Sequence, residues 1–107
     1  MTLRSIIRGS GSALPARAVS NAEMASMVDT TDEWIVERTG IRNRHIAGEG
    51  ETTATLATEA CRKALEAAGI EAASIDLIVL GTCSPDQTFP ATATIVQSAL
   101  DCRGGIA

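Results

Sequence analysis

The sequence predicts an α/β fold with parallel strands, and three stretches carry that reading. Leu3 to Ile7 is a short apolar run with β-branched residues, residues 56–68 repeat apolar side chains at helical spacing, and residues 75–80 form a nearly continuous apolar run. Strand, helix and strand in this order make a βαβ unit, and a strand apolar on both faces suits a parallel sheet covered on both sides.

Taken in order, Leu3–Ile7 runs into Gly9-Ser10-Gly11, a strand entering a turn. A dinucleotide-binding loop would need a third glycine opening a helix, and Leu14 and Pro15 follow instead. Ser20 with Glu23, and Thr30 with Glu33, both match a capping box, so two short helices are predicted. The second should run from Asp32 to Thr39 and stop at Gly40, which can take the left-handed terminal position. Leu56, Ala57, Ala60, Cys61, Ala64, Leu65 and Ala68 then form one stripe, with Glu59, Arg62, Lys63 and Glu66 off it and Gly69 at its end. The small residues of that stripe suit close packing. Ile75 to Leu80 reads as the buried strand, and a further helix should start with Pro90 as its first residue and end at Leu100, with Ile95, Val96, Ala99 and Leu100 inward. Gly104 to Ala107 looks like the opening of another buried strand, so residues 1–107 are expected to be the N-terminal part of a larger domain.

Composition narrows the function. Of 107 residues 45% are hydrophobic, but with one Trp, one Phe and no Tyr the large side chains for a self-contained core are scarce. A net charge of −4 argues against general nucleic-acid binding. No stretch approaches the ~20 apolar residues of a membrane helix, and the N-terminus lacks an uninterrupted apolar signal core, so a cytoplasmic location is expected. Cys61, Cys83 and Cys102 are odd in number, widely spaced and without a CxxC or a histidine cluster; reduced thiols and no metal site are expected.

The stretch DTTDEWIVERTGIRNRH, residues 29–45, gathers the single Trp with Arg38, Arg42, Arg44 and His45. Trp34 and Arg38 lie one helical turn apart on one face. Such a pair can stack an aromatic ring on the indole and meet a phosphate with the guanidinium, or Arg38 can simply lie over Trp34 in an internal cation–π contact. Both readings stand on the residues alone.

Four stretches resemble β-ketoacyl-acyl-carrier-protein synthase III, a thiolase-like condensing enzyme: GSGSALP (9–15), MVDTTDEWIVERTGIRNRHIA (27–47), AGIEAASIDLIVLGTCSPDQTFP (68–90) and IVQSAL (95–100). The resemblance implies an αβαβα layered fold of which this chain is an N-terminal part. It implies that Thr30, Trp34 and Arg38 line one wall of a coenzyme A site, although Thr30 could also serve only as a helix cap. It implies that Phe89 crosses a homodimer interface to border the partner's acyl pocket; local core packing is the plainer alternative. Arg42, Arg44 and His45 are not assigned to ligand: the arginines are expected to be solvated, paired with acids such as Glu49 or Glu51, or set to complement the helix dipole, and His45 to be structural.

The resemblance further implies decarboxylative condensation of acetyl-CoA, or a short acyl-CoA, with malonyl-acyl carrier protein, starting fatty acid synthesis. The coenzyme A thioester is then substrate, and no cofactor is expected. The Cys-His-Asn set of such enzymes is expected beyond Ala107, and none of the three cysteines here aligns with the nucleophile. Two rival readings are a related enzyme that primes polyketide or alkylquinolone synthesis, and a non-catalytic binding fragment.

Overall fold

The computed structural model describes all 107 residues. Leu14–Glu51 form one compact unit, and Met1–Ala13 with Thr52–Ala107 form another.

The first unit is organised by a pair of short strands that the sequence reading did not foresee. β1 (Arg17–Ser20) pairs antiparallel with β2 (Asn43–Ile46), setting Val19 opposite Arg44 and Ala18 opposite His45. Val19 is fully buried and is the apolar anchor of this pair. Four-residue strands with mostly polar side chains show too little alternation to be read from sequence. Ser20 ends β1 and also caps α1 (Asn21–Met27), its Oγ accepting from the Glu23 N–H at 3.1 Å. Glu23 does not close the expected capping box, because its carboxylate pairs with Arg17 instead.

α2 covers Asp32–Thr39, as the sequence predicts, and Gly40 ends it at φ 71°. Its cap differs by one residue from the expected Thr30. Thr31 is the N-cap, its Oγ1 accepting from the Trp34 N–H at 3.2 Å. Of two adjacent threonines, the one directly before Asp32 can reach the third helical N–H, which is the geometry a cap requires. Of the basic residues after α2, Arg44 differs from expectation. Arg44 donates to the Val19 carbonyl and the Asn21 side chain rather than to Glu49 or Glu51. His45 has a structural contact, its Nδ1 lying 2.7 Å from the Pro15 carbonyl oxygen.

The second unit is built on α3 (Thr53–Ala68), which starts three residues before the predicted Leu56. Thr52 and Thr55 form a reciprocal capping box there, and the carboxylate of Asp86 accepts from the Ala54 N–H at 2.8 Å. A carboxylate at that end also complements the helix dipole. The stripe of small residues is half-buried as expected, and Gly9 and Gly11 explain its use. A Cβ on Gly9 would lie 2.6 Å from the Ala64 carbonyl oxygen, and one on Gly11 2.5 Å from the Ala64 nitrogen. The two glycines therefore let the N-terminal segment lie directly on the backbone of α3, a role distinct from the turn that the sequence suggested.

α4 (Thr92–Leu100) packs on α3, and Ala93 and Val96 are its buried apolar residues. Val96 is fully buried, worth roughly 1.5–3 kcal/mol for a side chain of this kind. The predicted inner face is rotated toward Thr92 and Ala93, leaving Ala99 exposed. Pro90 is not the first helical residue: it precedes the helix, after a cis peptide bond to Phe89.

The expected βαβ unit is only partly formed. Leu3–Ile7 joins no strand ladder and its apolar side chains are exposed. Residues 75–80 make a single parallel bridge, Leu77 with Ile106, closed by Ile78 N–H to the Ile106 carbonyl at 2.8 Å and Ile106 N–H to Asp76 at 2.9 Å. The parallel pairing thus spans α4, and the expected cover on both faces is absent: Ile78 and Leu80 are half-buried while Val79 is 86% exposed. Helices α3 and α4 contact each other, while Leu77 and Val79 stay exposed.

Candidate functional site

α2 presents the candidate side chains. Thr31 fixes the helix start on the Trp34 N–H, so the backbone carrying the indole is held by the cap itself. Trp34 is 53% exposed, and the Arg38 guanidinium carbon lies 4.9 Å from its ring centroid. The internal cation–π contact of the plainer reading is therefore present. It does not exclude a ligand: a flat base cannot share one ring face with a guanidinium, so it would take the other face or move Arg38 aside.

Asp29, Thr30, Thr31 and Trp34 line a pocket of about 250 Å³. Sites that enclose a whole small ligand usually measure ~300–1,000 Å³, so this is room for one ring system against a wall. Thr30 supplies the most telling atom. Its Oγ1 is buried and has no hydrogen-bond partner. An unpaired buried hydroxyl costs about 1–3 kcal/mol. With Thr31 acting as the cap, Thr30 is free of the helix-start duty that the sequence left open for it.

The sequence reading missed the residues that hold α2. Asn21, the first residue of α1, is 2% exposed. Its Nδ2 donates to Asp32 Oδ1 at 2.7 Å and to the Ile41 carbonyl at 2.8 Å, and its Oδ1 accepts from Arg44 Nη2 at 2.5 Å. These partners lie 11, 20 and 23 residues away in sequence, so no local spacing could have revealed them.

The other named residues sit elsewhere. Phe89 is 88% exposed, so none of residues 1–107 packs closely over its ring. Cys61 is half-buried on α3, and burial pushes its thiol pKa up, with Cys102 adding to the rise. Cys102 is buried and Cys83 exposed, and all three thiols are free. No three His, Cys, Asp or Glu side chains converge as metal ligands, and no helix is long and apolar enough to cross a membrane.

No family model matches the chain. It is 81% identical, over all 107 residues, to a beta-ketoacyl-acyl-carrier-protein synthase III of Novosphingobium aromaticivorans, covering 33% of that protein. The chain belongs to the β-ketoacyl-acyl-carrier-protein synthase III family. A crystal structure of 3-oxoacyl-acyl-carrier-protein synthase III from Aquifex aeolicus superposes at a TM-score of 0.88 with 44% identity, covering 94% of this chain and 32% of that one. The priming β-ketosynthase of the R1128 polyketide pathway superposes at 0.88 with 39% identity, covering 94% of this chain and 30% of that one. The fold is thus the thiolase-like fold of synthase III, and the chain spans about a third of the length of the relatives it matches. The uncovered face of residues 75–80 is in keeping with that share, since a parallel strand of this kind is normally covered on both sides.

Proposed function

We propose that this chain is the N-terminal part of a β-ketoacyl-acyl-carrier-protein synthase III and supplies one wall of its coenzyme A site. The observation that carries the reading is the pocket at the start of α2, where a half-exposed indole stands beside a buried hydroxyl without a partner. Trp34 stacks the adenine, Arg38 meets the phosphates, and Thr30 donates or accepts at the same wall. The whole enzyme condenses acetyl-CoA or a short acyl-CoA with malonyl-acyl carrier protein, releasing carbon dioxide and coenzyme A. The thioester is substrate, and the protein needs no cofactor. It works in the cytoplasm as a homodimer, with Phe89 reaching the partner's acyl pocket. The nucleophilic Cys and its His and Asn lie beyond Ala107. An 81% identity to a synthase III against 39% to a polyketide priming enzyme favours this reading over its rival.

Because the adenine end lies far from the reacting carbon, its contacts count equally in ground and transition states. Losing them raises KM and spares kcat. Base–aromatic stacking is worth ~1–3 kcal/mol per base, so Trp34→Ala in the full-length protein should raise KM for acetyl-CoA roughly 5- to 150-fold. Arg38→Ala should add a loss that shrinks as salt rises. An unchanged KM for acetyl-CoA in both variants overturns the coenzyme A reading of α2.

A further inference from the structure

α2 carries the proposed ligand-binding side chains, yet it has no buried residue of its own. Ile35 and Val36 are only half-buried. A short helix with so little apolar anchorage needs another constraint to hold its exposed face in one place. Asn21 provides it from α1. One amide nitrogen donates to Asp32, the first residue of α2, and to the carbonyl of Ile41, just past its end. The amide oxygen accepts from Arg44 on β2, whose other guanidinium nitrogen donates to Val19 on β1. The Asn21 backbone N–H adds a bond to the Arg42 carbonyl at 3.1 Å.

The orientation of that amide is fixed by chemistry. Arg44 can only donate and the Ile41 carbonyl can only accept, so Nδ2 must face Ile41 and Oδ1 must face Arg44. Every polar atom of the buried Asn21 side chain is thereby used, and both ends of α2 are tied to the strand pair through one residue. Trp34 lies two residues from one tie, and Arg38 three residues from the other.

We propose that Asn21 is a positioning residue for the ligand face of α2: it holds Trp34 and Arg38 in register with Thr30, so that the nucleotide end of an acyl-CoA meets a preformed wall. This rests on the coenzyme A reading of that face. Asn21 touches no ligand and acts only through α2. If its loss lets α2 leave the binding arrangement, the apparent affinity falls in proportion to the fraction of molecules still competent.

The test uses Asn21→Asp in the full-length protein. Aspartate keeps the acceptor for Arg44, removes both donors, and sets a carboxylate against Asp32. KM for acetyl-CoA should rise about tenfold, as for a competent fraction near a tenth, with kcat and KM for malonyl-acyl carrier protein within about twofold. Adding Asp32→Asn restores a donor facing an acceptor and should recover most of the loss. In a Trp34→Ala background Asn21→Asp should add clearly less than tenfold, because one of the two side chains it positions is gone. A merely structural role predicts otherwise: kcat and both KM values worsen together, and the effects multiply in the Trp34→Ala background. Either of those results, or an unchanged KM for acetyl-CoA, overturns the proposal. Should Asn21→Asp fail to fold, Asp32→Ala empties the same contact without burying a charge, and its KM for acetyl-CoA is read against the same outcomes. Trp34→Ala alone separates the two levels. If it raises KM while Asn21→Asp does not, only the positioning role falls; if it leaves KM unchanged, the coenzyme A reading falls and this proposal with it.

Discussion

Replacing Gly11 by alanine should destabilise the protein, against the ordinary expectation for such a change. Where alanine fits, Gly→Ala stabilises by about 0.4–1 kcal/mol because it restricts the unfolded chain. Gly11 is not at positive φ, so conformation alone would allow that gain. Packing reverses the sign. A Cβ there would sit 2.5 Å from the Ala64 nitrogen and 2.8 Å from the Lys63 Cβ, and closer still to the Ala60 carbonyl oxygen. Two of these atoms belong to the backbone of α3 and cannot rotate away, so residues 9–11 must lift off the helix. Overpacking of this kind costs about 1–3 kcal/mol. At ~2–4 °C per kcal/mol, the full-length protein should melt about 2–12 °C lower. Gly104→Ala is the control: nothing lies within 4 Å of its added Cβ, and its melting temperature should stay level or rise slightly. A Gly11→Ala protein that melts at or above the Gly104→Ala protein would refute the reasoning.

Two further predictions concern charge and cover. The Glu51 carboxylate accepts from the Gly48 and Ala16 N–H groups, both at 2.9 Å; in that order these bonds hold its pKa below 4.5, with His45 helping and desolvation opposing. A lowered folded pKa gives stability that is present above the unfolded value and lost as pH falls through the folded one. The amide proton shifts of Gly48 and Ala16 should therefore titrate together with a midpoint below 4.5 and stop titrating in Glu51→Gln; a midpoint at or above 4.5 contradicts this. Residues 1–107 alone, with Leu3, Ile7 and Val79 largely exposed, should bind a hydrophobic dye and lack a cooperative melt, whereas a sharp melt without dye binding contradicts it.

What the sequence disclosed depended on how local each signal was. α2 and the end of α3 were legible because a hydroxyl, an acidic first turn and a terminal glycine act within one helical turn. The choice between Thr30 and Thr31 as cap was not, since both residues carry the same group and only backbone geometry separates them. β1 and β2 escaped because four-residue polar strands have almost no period, and their pairing joins residues far apart in sequence. The parallel pairing of Leu77 was expected from its apolar run, but its partner Ile106 depended on how α4 packs. In the site, Trp34 and Arg38 could be set on one face by their spacing, whereas no spacing marks Asn21. Its three partners meet only in the folded chain. The same holds for Thr30, whose orphaned hydroxyl is a fact of burial that spacing cannot supply.

The central claim is that an adenine ring stacks on Trp34, and indole fluorescence reports that contact directly. Titrating coenzyme A into the full-length protein and into its Trp34→Phe variant isolates the Trp34 signal by difference, because any other tryptophan contributes to both. The account predicts saturable quenching in the difference curve, with weaker binding in Thr30→Val and Arg38→Ala. Coenzyme A that binds with the same affinity to the wild type and to Trp34→Phe, and leaves a flat difference curve, would contradict it.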